Sequence, residues 1–177
     1  MNKYLYHASP VNVLKEIEPR AKTIPENFDK GPCIFATEYF DFATQFLVPH
    51  DDSWANGGAF SDQTFFVISD RKRFEKADKG GSIYLVKADD FQNYNRREWF
   101  SIKKVKTFGE VKFSSGLMAM ITQGVQVYFV DESTYINIQN AQDHGLSILN
   151  SLETENEKWG FTVKKLDMYQ GSKKKLG

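Results

Sequence analysis

Cysteine is nearly absent from this sequence. Cys33 is the only one in 177 residues, so no disulfide can form within the chain, and metal frameworks built on several cysteines are excluded. An excess of charge of one sign is missing too. The 23 Lys and Arg are balanced by 23 Asp and Glu, so no net field draws the chain to nucleic acid or to an anionic membrane. Its dense basic runs, Arg71-Lys72-Arg73 and Lys173-Lys174-Lys175, read as a solvated face and a tail. No segment approaches the ~20 apolar residues that span a bilayer. The stretch Met1-Asn2-Lys3-Tyr4-Leu5-Tyr6 also lacks the apolar core of a signal peptide. The expected setting is the cytoplasm, with no membrane partner.

Several familiar chemistries are lacking as motifs. Gly57-Gly58 and Gly80-Gly81 have neither the spacing nor the strand–loop–helix context of a phosphate loop. The histidines, His7, His50 and His144, are far apart and show no metal-ligand spacing, and His50-Asp51-Asp52 reads as the polar start of a loop. Cys33 lies in an apolar run and reads as a small core residue rather than a nucleophile.

The abundance in this sequence is aromatic. Fifteen Phe, eight Tyr and three Trp supply most of a core and leave rings to line a pocket. The length suits one well-buried domain. Lys3–His7 alternates as a strand entering at a sheet edge, and Val11–Ile17 reads as a helical turn or two before Pro19. Residues 20–31 form a loop and Cys33–Ala36 a short buried strand. Thr37 then caps a helix over Tyr39–Leu47, and Asp51–Asp62, with Trp54 and two glycines, reads as a long lid or binding loop. Strands resume at Gln63–Ser69, Ser82–Ala88 and Glu98–Lys106. Further on come a helix over Ser114–Thr122 ended by Gly124, a strand at Val125–Val130, a helix over Asn137–Leu152 and a last strand at Phe161–Leu166. Strands and helices do not alternate regularly, so the class is mixed α+β rather than doubly wound.

Three segments carry candidate chemistry: Tyr6-His7-Ala8-Ser9, then Cys33-Ile34-Phe35-Ala36 with its aromatic helix, then Glu98-Trp99-Phe100. In order and strand context they resemble the motifs of the ADP-ribosyltransferase fold, in the branch of the poly-ADP-ribose polymerases and the DNA-targeting transferase toxins, over roughly residues 4–112. His7-Ala8-Ser9 is similar to that family's His-Gly-Ser and Glu98-Trp99-Phe100 to its Glu-aromatic-apolar strand. Ile34 falls where the family carries a tyrosine, Ala8 where it carries a glycine, and Gln45 where a helix tyrosine stacks.

The resemblance implies a mainly antiparallel split sheet with flanking helices. Residues 1–112 would form the core, 113–170 an α/β extension packed on the same body, and 171–177 a disordered tail. It further implies NAD as substrate, with ADP-ribose passed to a protein or nucleic-acid acceptor, or NAD hydrolysed. Glu98 would stabilise the oxocarbenium-like ribose and His7 would fix its pose as the catalytic pair. His7, Ala8, Ser9 and Ile34 would line the cofactor, with Tyr39 or Phe46 stacking on it. Glu110 is a second carboxylate candidate, disfavoured because it stands ahead of a run that looks helical.

Plainer readings stand beside these. His7 is equally a strand-end histidine bonded to a backbone carbonyl, Glu98 a surface carboxylate beside Arg96 and Arg97, and Ser9 the turn chemistry before Pro10. At the level of the whole chain, the alternatives are a non-catalytic ligand- or partner-binding module on the same fold and a structural or phage-type accessory protein.

Overall fold

The structure, a computed structural model, describes residues 3–21, 28–60, 63–143 and 145–155. The strand expected at Phe161–Leu166 and the tail from 171 lie outside the described residues. In chain order the strands and helices are β1 (Tyr4–Ser9), β2 (Glu16–Ile17), β3 (Ile34–Thr37), α1 (Phe40–Thr44), β4 (Ala55–Phe60), β5 (Gln63–Ile68), α2 (Arg71–Ala77) and β6 (Gly81–Lys87). They continue with β7 (Gln92–Asn93), β8 (Glu98–Ser101), β9 (Val105–Phe113), α3 (Gly116–Thr122), β10 (Gln126–Phe129), α4 (Glu132–Asn140) and α5 (Leu146–Glu155). The class is α+β, as the irregular order of elements implies.

Two sheets organise the chain. The larger is a curled, antiparallel seven-stranded sheet in the order β2-β9-β6-β1-β3-β8-β7. The smaller has the order β10-β5-β4, with β10 parallel and β4 antiparallel to β5. Residues beyond 112 thus share a sheet with residues 55–68. One face of the large sheet, termed inner, buries Leu5, Ile34, Ala36, Tyr84 and Val86 with Ile17, Phe91 and Val105. Its outer face packs Ile83, Tyr6 and Ala8 against Ala43, Leu47 and Ala119 of the helical layer. That layer separates the sheets, and Met120 and Ile121 of α3 continue into Phe66, Ile68 and Phe74. The far side of the small sheet, carrying Phe65, Val67 and Tyr128, is closed by Tyr135, Ile138 and Leu149.

Sequence periodicity finds most of these elements and misplaces several. β1 is the central strand of the large sheet, not an edge. Val11–Ile17 is not helical: only Glu16–Ile17 is regular, as β2, and Val13 sits at φ 62°. The expected lid at 51–62 is largely strand β4, because Gly57 and Gly58 leave room for buried neighbours rather than for a hinge. A Cβ on Gly57 would meet the Gln45 side chain at 1.9 Å, and one on Gly58 the Phe65 ring at 2.6 Å. Glu98–Lys106 is two strands broken by a turn, and 137–152 is two helices with a break ahead of Leu146. Glu110, expected before a helix, lies within β9. α2 was not foreseen from its charged sequence, yet Asp70 caps it and Phe74 anchors it. Gly124 does end α3, at φ 88°, the left-handed conformation that closes helices.

Candidate functional site

The register of β1, β3 and β8 decides where the expected site residues point. Tyr6 lies opposite Thr37 and Thr37 opposite Glu98, so these three share the outer face. Side chains alternate along a strand, which turns His7 to the inner face with Ile34 and Tyr84. His7 and Glu98 therefore project to opposite faces of one sheet, and no single ribose can touch both.

His7 is bound into the inner face. Its Nδ1 lies 2.7 Å from the carbonyl oxygen of Phe35, so Nδ1 carries the proton and Nε2 is left as the acceptor. Burial pushes the imidazole pKa down, the Phe35 carbonyl works against that, and the nearby Arg20 charge adds to the lowering. The neutral ring thus bridges β1 to β3 where backbone pairing has shrunk to Tyr6 and Thr37. Ser9 is buried and its hydroxyl accepts from Val11 N–H at 3.1 Å, as turn chemistry requires. Ile34 is a core residue of the inner face, and Ala8 packs on the outer face near α1.

Glu98 opens on a cleft of about 510 Å³, within the ~300–1000 Å³ range of small-ligand sites. The cleft runs between the turn at 95–98, the β4–β5 hairpin and α4, with Phe42, Asn56, Gly58, Tyr135 and Gln139 in its walls. Asn95 fixes the carboxylate: its Nδ2 donates to Glu98 Oε2 at 2.7 Å, while its Oδ1 accepts from the Arg97 and Glu98 N–H groups at 2.8 Å each. The Arg97 guanidinium lies 4.5 Å from the Tyr39 ring centroid and 6.0 Å from that of Phe42. Tyr39 is therefore placed beside the cleft. Phe46 is not, since its ring packs on Phe42 and His50. Gln45 is fully buried and donates to the carbonyls of Phe65 at 3.2 Å and Gly58 at 3.4 Å, fastening α1 to the cleft floor.

Sequence reasoning missed Asn95, whose position three residues before Glu98 is the signal of a side chain that bonds the backbone just beyond it. It also missed a polar knot on the inner face. There Glu110 Oε1 accepts from Val13 N–H at 2.8 Å, the Ser82 hydroxyl at 2.7 Å and the Tyr84 hydroxyl at 3.2 Å. The Val13 N–H comes first among the donors that hold the Glu110 pKa low, with Ser82 and Tyr84 adding to it against a small burial cost. The knot grips the segment that carries Val13 in its costly left-handed conformation. The alternation of Ser82 and Tyr84, and of Glu110 and Lys112, is its sequence trace. Among the described residues no cluster of His, Cys, Asp and Glu could hold a metal ion, and no helix is long and apolar enough to cross a membrane.

The fold is α+β, and the cleft at Glu98 is polar with aromatic walls. No protein-family model, no curated protein and no solved structure matches this chain.

Proposed function

We propose that this chain is a non-catalytic ligand-binding module that takes a nucleotide such as NAD or ADP-ribose in the Glu98 cleft; with His7 and Glu98 on opposite faces, these two residues no longer argue for an ADP-ribosyltransferase-like fold. The observation that carries the reading is the separation of His7 from Glu98 beside a cleft in which Glu98 alone is held ready. In the arrangement that the resemblance implies, cleavage of the nicotinamide–ribose bond has an imidazole fixing the pose and a carboxylate stabilising the charge on one sugar. Binding needs less. The Glu98 carboxylate can accept from ribose hydroxyls, and the Arg97–Tyr39–Phe42 stack offers a planar surface to a base.

The test is thermal melting with NAD, nicotinamide and ADP-ribose, then incubation with labelled NAD. A ligand at about ten times its Kd should raise Tm by about 3–5 °C. That rise should vanish in Glu98→Gln and persist in His7→Gln, and the label should stay on intact NAD. No shift with any of the three at millimolar concentration would sink the nucleotide reading. Turnover abolished by both substitutions would establish the transferase instead.

A further inference from the structure

A second surface lies at the other end of the large sheet, with three strands between β9 and β8. Opposite Leu85 and Val86 the register of β9 slips: Leu85 pairs with Gly109 and Val86 with Thr107. Phe108 is the residue this β-bulge leaves over, and bulges re-aim the side chain they carry. Its ring swings to the outer face, half exposed, 5.9 Å from the ring of Tyr4 and 4.8 Å from the ammonium of Lys87. Tyr4 and Lys87 are direct partners across β1 and β6, so the arrangement is fixed by register. Beside Phe108 runs a groove of about 380 Å³ walled by Lys15, Glu16, Lys106 and Thr107. Glu16 is already occupied, since its carboxylate pairs with Lys104, which also holds Glu18. Thr107 is spent on the Leu14 and Lys15 carbonyls. Lys15, Lys87 and Lys106 are left with no ion-pair partner among the described residues.

An open aromatic pair flanked by three lysines that have no ion-pair partner among the described residues meets both demands of one ligand class. We infer that this surface binds single-stranded nucleic acid, with a base stacked on Phe108 beside Tyr4 and its flanking phosphates held by Lys15, Lys87 and Lys106. A base arriving on the ring displaces the Lys87 ammonium sideways on to a phosphate, so the cation exchanges one partner for a stronger one. Acidic peptides would satisfy the lysines and leave the exposed rings unused. The inference does not rest on the reading of the Glu98 cleft.

Fluorescence anisotropy of a labelled dT oligonucleotide of about 20 residues tests it. The expected result is saturable binding whose log Kobs falls with log salt at a slope of about −2, for three phosphate contacts to a single strand. Phe108→Ala should weaken it about tenfold or more and Phe108→Tyr restore it. Lys15→Glu with Lys106→Glu should abolish it, while Lys79→Glu, on a remote exposed lysine, should leave it unchanged. All these positions are exposed, so melting curves should confirm that each variant folds. A duplex of the same length should bind at least about tenfold more weakly, because its bases are closed to stacking. The proposal is overturned by absence of binding at 100 mM salt, by equal affinity for the duplex, or by binding indifferent to Phe108→Ala. Lysine-dependent capture by anionic phospholipid vesicles in preference to the oligonucleotide would assign the patch to a membrane surface and overturn it equally.

Discussion

At the residue scale the inner-face histidine is a structural device. His7 is held neutral by burial, and His50, packed among Phe46, Trp54 and Phe66 with Nδ1 2.8 Å from the Val48 carbonyl, is lowered by burial in the same way. Each folded-state pKa lies below the ordinary 6.5, so the unfolded chain binds protons first. The stabilising contribution is complete above pH 6.5 and is lost as pH falls through the interval down to the folded value. Tm should therefore drop between pH 7.5 and 5. In a His7→Gln, His50→Gln double variant, whose amides can still donate to Phe35 and Val48, this part of the profile should flatten; an unchanged slope would refute the assignment.

Elements are positioned in this chain by single polar groups more than by their own length. The seven residues of α3 start at Gly116 behind the N-cap Ser115, but the first amides are met by Asp78 from the end of α2. Asp78 accepts from Gly116 N–H at 2.6 Å, Leu117 N–H at 3.0 Å, the Ser115 hydroxyl at 2.8 Å and Gly80 N–H at 3.1 Å. Burial opposes its charge, yet these donors outweigh burial and hold the pKa below 3.8. Its contribution is present above that value and disappears as pH falls through the folded pKa. Asp78→Ala should cost about 2 kcal/mol at neutral pH by chemical denaturation, since it leaves helix amides unmet and removes charge-assisted bonds. Gly57→Ala tests the contact between β4 and Gln45, the residue that caps the end of α1. Its Cβ must displace Gln45, which is buried and bonded to two carbonyls, and a loss of about 1–3 kcal/mol is expected.

The whole molecule depends on pairing between distant segments. β10 lies parallel to β5 although α2, β6 to β9 and α3 intervene in the chain, with Val127 beside Phe66 and Tyr128 beside Val67. A chain ended at residue 112 would lose β10, α3 and α4. It would uncover Phe65, Phe66, Val67 and Ile68, which are almost wholly buried in the full chain. Such a fragment should be recovered as aggregate, without the dispersed amide spectrum of a folded domain. A soluble, cooperatively melting fragment would show that the first 112 residues stand alone.

Composition and local pattern by themselves determined the α+β class and the strands around Leu5, Ile34, Val67, Ile83 and Val127. Each is a short apolar run bounded by turn residues, so the signal is local. The helix over Gly116–Thr122 was legible for the same reason, in its apolar spacing and closing glycine. Only the tertiary structure decided the rest. Gly57 and Gly58 look like hinge residues until Gln45 and Phe65 are seen filling the space they leave. His7 and Glu98 look like partners until the register through Tyr6 and Thr37 turns them to opposite faces. Register is set by pairing across strands separated by tens of residues, and one residue of offset reverses a side chain's face. For the same reason no local pattern showed that a bulge would carry Phe108 outward beside Tyr4 and Lys87.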